Sequence, residues 1–153
     1  MELDSILAQV SLNKLKNSSR PKWGMMSSSQ MLYHCNIFVD VSLGEKKINF
    51  FVKTFSRLFF RYFFLKYLNS IQFDIYKFSK NSSTLPIFKS FPEFIDFDFE
   101  KYKLIENLKK IEQINSNKVY HQMYGWIPTL TLKKLVSFHT SYHFNQFNLF
   151  KKM

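Results

Sequence analysis

Basic and aromatic residues alternate in one short stretch, residues 53–67, termed here the basic-aromatic segment. Seven phenylalanines and tyrosines lie there among four cationic side chains, those of Lys53, Arg57, Arg61 and Lys66. Cationic side chains neutralise phosphates, and aromatic rings stack on unpaired bases or enter a lipid interface. The segment therefore predicts an anion-binding surface built on Arg57, Arg61 and Lys66. The alternative is a core helix that turns its aromatic side inward and its basic side to water.

Histidines are the other residues suited to metal or acid–base chemistry. His139 and His143 are four residues apart, which places them on one face of a helix, but the sequence HTSYH lacks the glutamate of the zincin signature. His34 adjoins Cys35 on a predicted strand, where neighbouring side chains point to opposite faces. We therefore expect surface or interface histidines, and the sequence predicts no metal ligand and no catalytic residue.

A β-hairpin is predicted to position the first of the cationic residues. Residues 33–43 include the alternating run IFVDVSL, residues 44–47 form a glycine-containing turn, and residues 48–53 form a return strand that ends on Lys53. An isolated hairpin is marginally stable, so helices near residues 2–16, 54–69 and 99–115 are expected to cover it. The predicted fold class is α+β, a small antiparallel sheet seeded by the 33–53 hairpin.

Composition limits the classes to which the protein can belong. The chain has 153 residues, a formal charge of +11 and one cysteine, which excludes an intramolecular disulfide and favours a reducing compartment. Neither a signal peptide nor a long uncharged apolar run is seen, so we expect an intracellular, cytoplasmic protein without a transmembrane span. We expect a single domain or a fragment of one, with a less ordered basic tail at residues 113–153.

Residues 20–55, RPKWGMMSSSQMLYHCNIFVDVSLGEKKINFFVKTF, resemble the amino-terminal lobe of the choline-kinase-like (CHK) and ecdysteroid-kinase-like family of small-molecule kinases. A loop with a glycine precedes a strand, a short charged turn follows, and the next strand ends in lysine. The resemblance implies that Lys53 contacts the phosphates of ATP. It also implies that the loop over the nucleotide contains Ser27, Ser28 and Ser29.

The resemblance ends before the catalytic lobe of such kinases. No histidine is followed two residues later by aspartate, and no aspartate lies beyond Asp98. The sequence therefore predicts a truncated or divergent kinase-like protein that does not transfer phosphate by itself. The alternative is a basic, aromatic-rich protein that binds RNA or a membrane surface, such as an organellar ribosomal protein, so the anionic partner is a nucleotide, RNA or acidic lipid. A third interpretation is a weakly folded product of an AT-rich reading frame.

Overall fold

The protein is α+β, with six α-helices and one small sheet in the part of the chain that the structure describes. The computed structural model describes residues 4–82 and 84–149. The helices are α1 (Ser5–Leu12), α2 (Ser28–Leu43), α3 (Phe50–Phe55), α4 (Arg61–Ser70), α5 (Phe97–Glu112) and α6 (Thr129–Gln146). A π-helical turn, Ser56–Phe60, joins α3 to α4, and a 3₁₀ turn lies at Pro86–Phe88. Strands β1 (Lys118–His121) and β2 (Gly125–Pro128) form the sheet.

The predicted 33–53 hairpin is wrong, because residues 28–43 form helix α2. Ser27 and Gln30 make a reciprocal capping box at the start of this helix, and Gly44, at a φ of 80°, ends it in the left-handed conformation. Twelve of its sixteen residues are buried, so nearly every side of the helix faces the protein interior. The helical period is then hidden, and the alternation within IFVDVSL carries no information about strand structure.

The three helices predicted from periodicity are present. Helix α1 lies within the predicted range 2–16, of which residues 2 and 3 lie outside the described residues. The range 54–69 falls in the continuous helical run of α3, the π-helical turn and α4. The range 99–115 corresponds to α5, which begins two residues earlier, after the N-cap Asp96.

The sheet lies at residues 118–128, in the region predicted to be a less ordered basic tail. Its two strands are antiparallel and pair Lys118 with Pro128 and His121 with Gly125. Helix α6 follows directly, and twelve of its eighteen residues are buried. Among the described residues, this region therefore supplies the sheet and the longest helix.

Helix α2 is joined to α5 by a chain of buried polar side chains. Asn107 donates through Nδ2 to Asn36 Oδ1 at 3.1 Å and to Asp40 Oδ1 at 3.0 Å. Asn36 in turn donates to the Glu100 carboxylate at 2.6 Å, and Lys103 Nζ lies 2.8 Å from Asp40 Oδ2. Buried polar groups cost free energy unless they are paired, so this network fixes how α5 docks on α2.

We expect Asn107→Ala to lower the free energy of unfolding by about 2–4 kcal/mol. The substitution leaves buried acceptors of Asn36 and Asp40 without their donor. Urea denaturation measures the loss, and Lys109→Ala, which removes only an exposed ion pair with Glu106, is the matched control with no measurable change expected. Equal effects of the two substitutions would show that the network does not hold α5 in place.

Candidate functional site

The four residues predicted to bind a nucleotide lie in helical structure. Lys53 is in α3, with Nζ 5.5 Å from the centroid of the Tyr120 ring, so its assignment to a strand end is wrong. Ser27 is the N-cap of α2, and Ser29 Oγ lies 3.1 Å from Ser27 Oγ. Ser28 is buried and donates to the Asn17 carbonyl oxygen at 2.7 Å. Nucleotide binding by these residues stays a prediction, without the strand that was expected to present the lysine.

An exposed apolar surface covers the outer side of residues 50–67, and we name it the aromatic-basic face. The exposed fraction is 79% for Phe51 and 67% for Leu58, and the predicted core helix with inward aromatic rings is therefore wrong. The inner edge of the same helical run is formed by few residues, with only Ser56 and Leu68 fully buried. The exposed apolar members of the face are Phe50, Phe51, Phe55, Leu58, Phe59, Phe60, Tyr62, Phe63 and Tyr67.

Cationic residues of this helical run contact the β1–β2 hairpin. The Arg57 guanidinium lies 4.9 Å from the centroid of the Tyr120 ring, and Arg61 Nη2 donates to the Trp126 carbonyl oxygen at 3.1 Å. Trp126 and Tyr120 are themselves exposed, at 64% and 38%. The hairpin thus adds two aromatic side chains to the edge of the aromatic-basic face.

The cations of this face have no acidic partners. Among the described residues, Lys53, Arg57, Arg61 and Lys66 form no ion pair, and the four ion pairs found there involve other lysines. Two guanidinium nitrogens of Arg57, Nε and Nη2, also lack a hydrogen-bond acceptor in the described part of the chain. The face therefore carries uncompensated positive charge beside exposed apolar side chains.

Three histidines that are far apart in sequence meet between α2 and α6, and we name them the histidine triad. His34 comes from α2, and His139 and His143 come from successive turns of α6. Their nearest ring nitrogens all lie within 4.8 Å of one another, and Nε2 of His34 is 3.1 Å from Nε2 of His139. His34 and His143 are buried and His139 is partly buried. The structure thus corrects the expectation of surface or interface histidines.

The histidine triad lines a cavity of about 1150 Å³. Most of the wall is aromatic and aliphatic, with contributions from Phe64, Phe78, Phe138 and Leu135. Large, mainly apolar cavities with a few polar groups are where proteins bind small molecules. The triad therefore belongs to the wall of a cavity of the kind that binds small molecules.

Burial keeps the triad uncharged near neutral pH. Burial lowers the pKa of His34, although its hydrogen bond to the Phe88 carbonyl opposes the shift. Burial also lowers the pKa of His143 to about 3, with a further contribution from the nearby His34. The pKa of His139 is well below its usual value, because of burial first and then of the two neighbouring imidazoles. All three rings are neutral, which is the form that accepts a proton or a metal ion.

Only two of the three members of the triad could be read from the sequence as a pair. The spacing of His139 and His143 was visible, but two histidines do not define a site. His34 lies 105 residues from His139, and its approach depends on how α2 packs against α6. A correct prediction of α2 from its capping box and terminal glycine would have placed His34 on a buried helix, although not beside its partners.

Comparisons with known proteins do not assign the chain to a group. No protein-family model, no curated protein and no solved structure matches it. In the described residues, none of the helices combines the length and the apolar character needed to cross a bilayer.

We expect the fourth histidine, His121, to make the protein less stable in acid. Burial lowers its pKa to about 3 in the folded chain, whereas the unfolded chain takes up the proton near 6.5. Stability is therefore present above pH 6.5 and falls as the pH drops, by about 2 kcal/mol at pH 5 for this one group. Urea denaturation measures the free energy of unfolding at pH 7 and at pH 5. The difference between the two values should be smaller by this amount in His121→Gln than in the wild-type chain. An unchanged difference would show that His121 is not held neutral by the fold.

Proposed function

We propose that the protein binds the surface of anionic membranes through the aromatic-basic face. The observation that carries this proposal is the exposure of nine large apolar side chains within residues 50–67, interleaved with four cations that have no acidic partner in the described chain. Helices that lie in the plane of a membrane interface combine these two properties.

Apolar burial supplies the first part of the binding free energy. Moving a phenylalanine or leucine side chain fully out of water stabilises by about 1.5–3 kcal/mol. Interfacial helices insert their apolar face about 5–10 Å into the boundary between headgroups and acyl chains. Phe51 and Phe63, exposed by 79% and 65%, are among the side chains that gain most from such insertion. A few of these side chains are sufficient to hold the protein at an interface.

Electrostatic attraction supplies the second part. A lysine or arginine near an anionic leaflet contributes about 1 kcal/mol, and the contribution falls off within a Debye length. Lys53 and Lys66 are the two lysines of the face, and neither has to give up an internal ion pair to meet a lipid phosphate. The formal charge of +11 adds a long-range attraction to any anionic surface.

The hairpin side chains at the edge of the face suit the same partner. Tryptophan and tyrosine are enriched at the level of lipid headgroups, because their rings are amphipathic. Trp126 and Tyr120 lie at the edge of the face, and their rings contact each other with centroids 5.7 Å apart. Lipid contact would thus extend from the helical run onto the sheet.

The arrangement of the aromatic rings favours lipid over RNA. Bases stack on open faces of aromatic rings, whereas several rings of this face pack on one another. The centroids of Phe55 and Phe59 are 5.2 Å apart, and those of Tyr62 and Phe63 are 5.5 Å apart. The aliphatic Leu58, exposed by 67%, has no ring to offer to a base but fits an acyl-chain boundary.

We expect the double variant Phe51→Ser/Phe63→Ser to bind vesicles at least about tenfold more weakly than the wild-type chain. The substitutions remove two of the most exposed side chains of the face. Co-sedimentation with phosphatidylcholine vesicles that contain phosphatidylserine measures the partition coefficient. The matched control is Phe94→Ser/Tyr102→Ser, which removes side chains of similar exposure, 80% and 64%, outside the face and should leave partitioning unchanged. Equal losses in both variants would contradict the assignment of the face.

We expect Lys53→Gln/Lys66→Gln to weaken binding to these vesicles by roughly thirtyfold at low salt, because two cations near the surface are lost. The loss should shrink as salt screens the surface and should vanish on vesicles of phosphatidylcholine alone. Lys14→Gln/Lys16→Gln has the same change in net charge and replaces exposed lysines elsewhere, so its effect should be much smaller. Equal losses of vesicle binding in the two variants would show that net charge alone attracts the protein and would contradict a specific role for the lysines of the face.

The same series of measurements also tests the other two anionic partners, RNA and ATP. Tight binding of single-stranded RNA in fluorescence anisotropy, together with no vesicle binding, would replace the membrane by RNA. A rise in melting temperature with millimolar ATP that Lys53→Ala abolishes, again without vesicle binding, would favour the kinase-like interpretation.

A further inference from the structure

We propose that the histidine triad, His34, His139 and His143, binds a zinc ion and leaves its fourth coordination position open to the adjoining cavity. Three imidazole ligands with one open position are typical of catalytic rather than structural zinc sites. This inference is independent of membrane binding, because its three ligands lie inside the protein and none of them belongs to the aromatic-basic face.

The spacing of the triad nitrogens is close to what zinc requires. Two imidazole nitrogens, each about 2.0–2.1 Å from a tetrahedral zinc ion, lie roughly 3.3 Å apart. Nε2 of His34 and Nε2 of His139 are 3.1 Å apart, and the third nitrogen lies within 4.8 Å of both. The i, i+4 placement of His139 and His143 on α6 is the usual arrangement of two zinc ligands on one helix.

The hydrogen bonds behind two of the rings leave Nε2 free to coordinate. Nδ1 of His34 donates to the Phe88 carbonyl oxygen at 2.8 Å, so its proton is on Nδ1 and its Nε2 carries a lone pair. Nδ1 of His143 is 2.9 Å from Oε1 of Gln146, which accepts in the same way. Zinc-bound histidines nearly always donate their second nitrogen to an oxygen, and this contact sets tautomer and ring orientation.

The Gln146 amide is itself held in place. Its Nε2 donates to the Trp23 carbonyl oxygen at 2.6 Å, which turns Oε1 towards His143. Gln146 is therefore a positioning residue for the third ligand.

His139 is oriented by packing. Its ring stacks on Phe38, with centroids 3.9 Å apart and an angle of 11° between the planes. Nδ1 of His139 is buried and has no hydrogen-bond partner among the described residues. Because Nε2 of His34 carries a lone pair, the 3.1 Å contact between the two Nε2 atoms is a hydrogen bond that His139 donates in the metal-free chain. Zinc binding therefore requires the His139 proton to move from Nε2 to Nδ1, which is unpartnered in the described chain.

The chemistry of the ligands favours zinc over hard cations. Within the described chain, no carboxylate joins the triad, and neutral imidazoles suit zinc and related transition metals but not Mg²⁺ or Ca²⁺. The mainly apolar cavity suits a small apolar molecule that carries one oxygen or nitrogen donor for the open position.

The experiment uses the full chain, purified in the presence of chelator and then dialysed. Isothermal titration with Zn²⁺ should show one site per chain, and replacement by Co²⁺ should give the visible absorption of a tetrahedral ion. Addition of azide should change this spectrum, because azide enters the open position. His139→Gln/His143→Gln should abolish both signals, whereas His121→Gln, a buried histidine outside the triad, should retain them.

A second variant keeps the test valid if the double variant does not fold. Gln146→Leu leaves all three ligands in place and removes the acceptor behind His143, so the affinity for Zn²⁺ should fall about 10- to 100-fold, with one site retained. X-ray absorption at the zinc edge of the wild-type chain should show three imidazoles and one further oxygen donor from solvent. The proposal is overturned if the folded wild-type chain binds no Zn²⁺ at micromolar concentration. It is also overturned if Zn²⁺ affinity is the same in wild type, His139→Gln/His143→Gln and Gln146→Leu.

Discussion

The burial of helix α2 on nearly every side is the constraint on which the rest of the structure depends. On one side its Asn36 and Asp40 are tied to α5 through Asn107. On another side His34 and Phe38 meet α6, where His139 stacks on Phe38. Because α5 and α6 occupy these sides, the phenylalanine-rich run that follows α2 is left at the periphery. Its aromatic residues are exposed because other helices already fill the core.

The peripheral run has two sides with different environments. Its outer side is the aromatic-basic face, while Phe60 and Phe64 also line the cavity that contains the histidine triad. The same helical run therefore separates the proposed membrane contact from the proposed zinc site. The π-helical turn at Ser56–Phe60 lies in the middle of this run, and such turns are frequent at functional sites. The aromatic-basic face and the cavity thus share one helical run.

Sequence reasoning was sufficient where helices bury one stripe and insufficient where they bury all sides. Helix α5 shows a regular apolar period, a carboxylate cap and lysines in its last turn, and its prediction is confirmed. Helix α2 has no such period, so its β-branched residues were taken for a strand, although Ser27, Gln30 and Gly44 marked both of its ends. The basic-aromatic segment was recognised from composition. Its exposure could not be predicted, because it depends on which other helices form the core. The triad could not be predicted either, because His34 contacts α6 only through tertiary packing.

The most direct test of membrane binding by the aromatic-basic face is the depth of Trp126 in a bilayer. Trp23 is the other tryptophan of the chain, so Trp23→Phe leaves Trp126 as the sole tryptophan reporter. Its fluorescence should shift to shorter wavelength on anionic vesicles, and lipids brominated near the headgroup end of the acyl chain should quench it. Vesicle binding with Trp126 unshifted and unquenched would contradict the account, because the protein would then contact the membrane through another surface.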